Sequence, residues 1–300
     1  MILCAGEALI DMLPRETTAG EPAFAPYAGG AVFNTAIALG RLGQPTGFLT
    51  GLSSDLFGKV LGDTLTAADV DARFAIRSDR PTTLAFVTLT DGHATYAFYD
   101  ENTAGRMIAP EDLPPLPDTV SALFLGGISL AVEPCAAAYE ALLEREGASR
   151  VTMIDPNIRP GFIRDEARFR ARMDRMLAAA DIVKISDEDL AWLGFDVAML
   201  LANGPKVVCI TEGAKGVTAH TTAGQVHVAA TRVTVVDTVG AGDTFNAGFL
   251  AGLSQDGLLT RSALAGIDPM ALVPALDLGA RAAAVTVSRA GANPPWQHEL

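Results

Sequence analysis

Asp243 follows a Gly-Ala-Gly triplet, Gly240, Ala241 and Gly242, where an apolar run ending at Asp237 gives way to a helical pattern. A glycine-rich turn at a helix start exposes unpaired N–H groups and the positive end of the helix dipole, an arrangement that receives anions. A carboxylate at that point needs a reason in a chain whose net charge is already −13. The spacing supplies one. Amides of the triplet can converge on a transferring phosphoryl group, while Asp243, one residue further, accepts the proton of an attacking hydroxyl. The competing reading of these residues is a helix N-cap whose glycines only allow close packing.

Other candidates stand just after apolar runs, where ligands of doubly wound sheets sit. They are Asp11, Gly29 and Gly30, Asp155 to Arg159, Ser186 to Asp189, and Thr211 to Gly216. No G-x-G-x-x-G follows the first run and no G-x-x-x-x-G-K-[ST] occurs, which excludes the dinucleotide fingerprint and the P-loop.

The elements that must position these residues alternate. MILCAGEALI reads as a strand and AVFNTAIALGRLG as an amphipathic helix; VTMID, DIVKIS and KVVCIT are further strands. EARFRARMDRMLAAA is a helix with Phe169, Met173, Met176 and Leu177 on one side, DEDLAWLG a short helix, and the stretch through QVHVAATRV hairpin-like. This alternation predicts an α/β fold, a mainly parallel sheet flanked by helices on both faces, in one domain over 1–300. Two segments break the rhythm. PTTLAFVTL and TYAFYDE flank a turn at Asp91-Gly92, and PRETTAGEPAFAPYAGG is irregular. They read either as a small β lid, about 12–28 and 82–103, or as a hairpin that merely extends the sheet.

With 22 basic against 35 acidic residues and no basic cluster, the chain is a poor partner for nucleic acid or anionic membrane. A phosphate would have to be held by local amides and metal rather than by the overall field. Cys4, Cys135 and Cys209 show no metal-ligand spacing and read as buried free thiols. The N-terminus lacks a basic region and carries Glu7 and Asp11 early, unlike a signal peptide, and no run of 18 uncharged apolar residues is present. The expectation is a cytoplasmic protein.

Four motifs in order resemble the ribokinase-like sugar kinases of the phosphofructokinase-B type, over nearly the whole chain. They are AGGAVFNTAIALGRLG with GLSSDLFG, then DPNIRP, TEGAKG and DTVGAGDTFNAGFLAGL. The resemblance implies the ribokinase fold, ATP as phosphoryl donor, Mg2+, and a lid that in some members clasps a homodimer. It implies Asp243 as base and Gly240, Ala241 and Gly242 as anion hole. Asp11, Gly29, Gly30, Asn34, Phe98 and Arg159 would serve the sugar, and Thr211, Gly213, Gly216 and Ser186 the nucleotide. SDED departs from the family's Asn-x-x-Glu, so Asp189 is the candidate for magnesium, with a helix-capping pair as the other reading. Asp237 and the backbone of Val239 match a K+ site of some relatives.

The resemblance implies a kinase for a neutral sugar, D-fructose first. A 2-keto-3-deoxygluconate kinase, a ribokinase or nucleoside kinase, and a non-catalytic sugar or nucleotide sensor stand as alternatives. Keto-deoxy-sugar-acid kinases place an arginine in the lid; Asp100 stands at that position here, beside Glu101, and is expected to repel an acid substrate. Phe98 and Tyr99 alternate, so only one faces the pocket, and resemblance favours Phe98.

Overall fold

Alternate residues of the first strand, Ile2–Ala5, enter opposite apolar clusters. Cys4 packs with Phe124 and Cys209 on one side, while Leu3 and Ala5 join Leu125 and Val208 on the other. A strand covered on both faces has no polar side, so its sequence is a continuous apolar run. The structure, a computed structural model, describes residues 1–90 and 93–300, without the side chains of 88–90 and 93–96. The turn expected at Asp91-Gly92 lies outside the described residues.

The main sheet has nine strands. Val207–Thr211, Ile182–Ser186, Val151–Asp155, Ala122–Gly126, Ile2–Ala5, Thr46–Leu49 and Val70–Asp71 pair in that order, all parallel. Val217–Thr221 and Gly224–Val228 extend it antiparallel beyond Val207–Thr211. Helices Cys135–Glu146 and Glu166–Ala179 cover one face; Phe169, Met173, Met176 and Leu177 point inward as their spacing predicts. Helices Ala31–Arg41, Leu56–Ala67 and Ala241–Gln255 cover the other.

A separate four-stranded sheet has the order Pro22–Gly29, Leu9–Glu16, Thr83–Thr90, His93–Tyr99. Among the described residues its strands pair with one another and not with the main sheet. MILCAGEALI is therefore not one strand. The chain bends at Gly6, where a Cβ would come within 2.5 Å of Val32, and passes from the main sheet into the second sheet by Leu9. The irregular PRETTAGEPAFAPYAGG ends in a lid strand paired along its length, from Leu9↔Gly29 to Glu16↔Pro22. GLSSDLFG ties the second sheet to the body: Asp55 caps the helix Leu56–Ala67 through the Gly58 amide and also accepts the amide and hydroxyl of Thr82, at the foot of the strand Thr83–Thr90. The run before Asp237 forms no strand; Val236 and Asp237 instead donate their amides to the Val287 carbonyl.

Helix Ala241–Gln255 is buried nearly all round, as an evenly apolar helix must be. It packs on helix Val273–Val287 through small residues: a Cβ at Gly248 would lie 2.7 Å from Gly279 Cα, and one at Gly252 2.5 Å from Ala275 Cα. With the turn before it, the second helix is long and apolar enough by composition to cross a membrane. Here that composition serves helix–helix contact, and its Asp277 and Arg281 pair at 2.9 Å. Cys4, Cys135 and Cys209 are buried free thiols. Because the atoms facing Gly248 are backbone and cannot swing aside, Gly248→Val should destabilise the fold by about 1–3 kcal/mol. Urea unfolding should show a lowered midpoint with an unchanged slope.

Candidate active site

Helix Ala31–Arg41 begins without a side-chain cap of its own, at Gly30, whose φ of 108° suits only glycine. Glu7 takes that role from the bend between the two sheets, accepting the Ala31 amide at 3.0 Å and the Ser129 amide at 3.4 Å. Burial holds its carboxyl above the usual range. One turn along, Asn34 Nδ2 donates to Asp243 Oδ2 at 2.9 Å, and the Thr35 hydroxyl donates to the Asp243 carbonyl at 3.2 Å. Two helix starts are thus joined around one acid.

That acid is 8% exposed. Burial raises the Asp243 carboxyl to about 7, with the negative charges of Asp155 and Glu7 acting the same way against the Asn34 hydrogen bond and the charge of Lys184. A carboxyl poised there can take a proton at neutral pH and return it. Helix Ala241–Gln255 starts at Gly240, in the left-handed region at φ 77°. The Ala241 amide donates to Thr238 at 3.3 Å. The amides of Gly240, Gly242 and Asp243 have no protein acceptor among the described residues. The open set therefore differs by one residue from the expected triplet, because Ala241 closes a turn.

Two cavities meet at this helix start. The larger, about 600 Å3, has Thr211, Gly213 and Gly216 in its wall, with Val235, Ala284 and Val287 giving it an apolar side. Gly213 and Gly216 both have positive φ, and a Cβ on Gly216 would strike the Val228 carbonyl at 2.2 Å. The smaller, about 450 Å3, is lined by Asp11, Gly30, Asn34, Phe98, Arg159 and Asp243 among others. Thr238, Ala241 and Gly242 border both, so the glycine turn is the wall between them. Asp243 faces only the smaller.

Asp11 lies on the lid strand Leu9–Glu16, and burial raises its carboxyl to about 6. Gly29 gives it room, since a Cβ there would be 2.3 Å from Asp11 Oδ2. Phe98 lines the cavity and meets Phe162 edge-on at 4.4 Å, whereas Tyr99 is 63% exposed. Arg159 is exposed at the cavity rim and donates to the Ile158 carbonyl. Asp100 does not act as expected: it is paired with Arg106 at 3.0 Å and lines neither cavity. Its charge is neutralised by a neighbour six residues on, and Glu101 pairs with Arg164 at the surface.

Ser186 and Asp189 also line neither cavity. The Ser186 hydroxyl accepts the Asp189 amide at 3.0 Å, the capping arrangement, and Asp189 Oδ2 accepts the Ile158 amide at 3.3 Å. Burial raises the Asp189 carboxyl. Among the described residues no three His, Cys, Asp or Glu side chains form a metal cluster. Both Asp237 oxygens are engaged, by the Val239 and Gly291 amides, and so pin the loop before Gly240.

Three buried polar residues escaped the sequence reading: Glu7, Lys184 and Asn246. Lys184 Nζ lies 2.9 Å from Asp155 Oδ2, which also accepts Asn246 Nδ2 at 2.8 Å. The signal for Lys184 was present, a single charge inside the apolar run DIVKIS.

Comparison with known proteins follows the same lines. A model of the pfkB family of carbohydrate kinases matches residues 1–299. A fructokinase of Rhizobium leguminosarum bv. trifolii is 58% identical over 278 residues, covering 91% of this chain and 85% of the relative. The crystal structure of a Xylella fastidiosa fructokinase with bound ATP superposes with a TM-score of 0.88 at 31% identity, covering 97% of this chain and 93% of that one. A Vibrio cholerae O395 fructokinase bound to fructose, ADP and calcium superposes at 0.82 with 26% identity, covering 97% and 94%.

The Asn34 hydrogen bond favours the charged form of Asp243, so its loss should raise the carboxyl further. In Asn34→Ala, a carboxyl-carbon NMR titration should place the Asp243 midpoint above the wild-type value of about 7. An unchanged midpoint would leave the bond without electrostatic effect.

Proposed function

The chain belongs to the pfkB family of carbohydrate kinases, and on that footing we propose that it transfers the γ-phosphoryl group of ATP to a primary hydroxyl of D-fructose. One observation carries the reading. The glycine turn Gly240–Gly242 separates two cavities, and the acid that can take a proton faces only one of them.

ATP occupies the larger cavity, its base against the apolar wall and its phosphates toward the free amides. The sugar occupies the smaller one. Asp11 accepts its hydroxyls, Phe98 lies along its ring, and Asp243 receives the proton of the attacking hydroxyl. The open amides of Gly240 and Gly242 receive the charge of the phosphoryl oxygens, which is electrostatic stabilisation in a site that needs no reorganisation. Rejection of a sugar acid falls to Asp11 and Asp243, whose carboxylates face the sugar directly; Asp100 takes no part. Arg159, at the rim, is turned to its own backbone.

Magnesium is supplied with the nucleotide. This ion keeps several waters and is held by one or two carboxylates plus substrate phosphates, and the residues fit that mode. Asp155 Oδ1 is buried without a hydrogen-bond partner among the described residues, and Asp189 is a nearby acid whose carboxyl is raised by burial and, to a lesser degree, by the charge of Asp155. They would hold the hydrated ion, which supplies charge neutralisation to the phosphates. Buried free thiols suit a reducing, cytoplasmic setting.

The lid offers a second copy of the chain a face of its own. Strand periodicity sends Asp11, Ala85 and Phe98 to the cavity side, and Phe24, Phe86 and Tyr99 to the other. These three rings touch edge-on, at 5.0 and 5.5 Å, and Phe24 and Tyr99 are exposed. Aromatic clusters of this kind favour protein contact. Sedimentation should find a dimer that Tyr99→Asp converts to monomer; a wild-type monomer ends this assignment.

ADP release measured over a panel of sugars tests the activity. Fructose should exceed 2-keto-3-deoxygluconate in kcat/KM, and a clear preference for the acid would overturn the fructose assignment. Asp243→Asn should keep ATP and sugar binding while kcat falls about 10²–10⁴-fold.

A further inference from the structure

Lys184 is 5% exposed, in a strand whose other side chains are apolar or, at its end, serine. Burying an ammonium is costly, and pairing it with Asp155 does not by itself make it a net source of stability, since an apolar pair of similar volume serves a fold as well or better. Its position points elsewhere. Lys184 lines the smaller cavity, and a Cβ built on Gly242 would lie 3.2 Å from its Nζ. The ammonium therefore sits beside the glycine turn, where the two cavities meet. Asp155 takes one of its three donors, and no other acceptor contacts it among the described residues. Around it the cavity wall carries Glu7, Asp11, Asp155 and Asp243, and the one other cation in that wall, Arg159, is at the exposed rim.

We infer that Lys184 is a further catalytic residue: its ammonium contacts the phosphoryl group in transit, held in place by Asp155, which Asn246 steadies in turn. The inference rests on the kinase reading above. In the step itself the bond between the γ-phosphorus and the bridging β,γ-oxygen breaks, and its electron pair leaves on ADP. A bond forms from the sugar oxygen to phosphorus, and the hydroxyl proton passes to Asp243. The three peripheral phosphoryl oxygens carry charge throughout this exchange, in a cavity lined by acids. Free amides offer only partial charges. A full positive charge beside Gly242 offsets the carboxylates at the place where the phosphoryl group crosses. Gly242 has no side chain, so nothing stands between Nζ and that space.

The test compares Lys184→Met, Asp155→Asn and the double variant, all at saturating magnesium. The double variant is the decisive one, because it removes both charges and leaves no buried acid unpaired. Against Asp155→Asn, which keeps the ammonium, it should show kcat lower by about 10²–10³-fold, the range for losing one oxyanion donor. Fructose KM should stay within about threefold, as expected when an interaction is made only in the transition state. Binding of ADP with tetrafluoroaluminate, a mimic of the transferring group, should weaken by a similar factor, while binding of ADP alone is unchanged. If the double variant equals Asp155→Asn in both kcat and mimic affinity, Lys184 only neutralises Asp155 and the inference is overturned. The mimic also separates the two readings. Loss of its binding in a protein that leaves fructose unphosphorylated would retain Lys184 and reject the sugar assignment.

Discussion

The site depends on keeping one carboxylate, Asp243, away from water at the start of a buried helix. Everything that touches it answers that constraint. Asn34 gives it a hydrogen bond, Thr35 holds its carbonyl, and Glu7 fixes the helix that carries both. Desolvation, helped by the charges of Asp155 and Glu7, raises the carboxyl to about 7, and the Asn34 hydrogen bond and the charge of Lys184 keep it from rising further. The proposed base thus takes its proton affinity from burial set against named neighbours.

The same burial sets the electrostatic problem of the cavity. Glu7, Asp11, Asp155 and Asp243 face a space that, on the proposed reading, admits a phosphoryl group. The chain as a whole is acidic, so its long-range field is of no help. The resolution is local: free amides at Gly240 and Gly242, and a buried ammonium beside them. The cavities are separated by a turn of small residues, so on the proposed reading these charges would act where the phosphoryl group crosses.

Much of this was legible in sequence. The apolar runs of the parallel strands follow from burial on both faces, and the glycines of TEGAKG and the first glycine of GAGD from positive φ. What escaped was long-range. The bend at Gly6 splits one apolar run between two sheets, and Val32, distant in sequence, leaves no space there for a Cβ. Asp100 looked like a charge aimed at substrate, yet Arg106 pairs with it, and only the folded chain shows which way a lid residue turns. Ser186 matched a nucleotide contact and a helix cap equally well, and its hydroxyl is a cap. Glu7 looked like an early acid in a strand; its partners Ala31 and Ser129 are 24 and 122 residues away.

Asp11 belongs to the lid sheet and Asp243 to a helix of the core, yet both face one cavity. A ligand with several hydroxyls can bond to the two at once and so fasten one sheet to the other body of the molecule. A water molecule is too small to do this. On the proposed reading, an acceptor long enough to reach both Asp11 and Asp243 would be told from water by span rather than by reactivity.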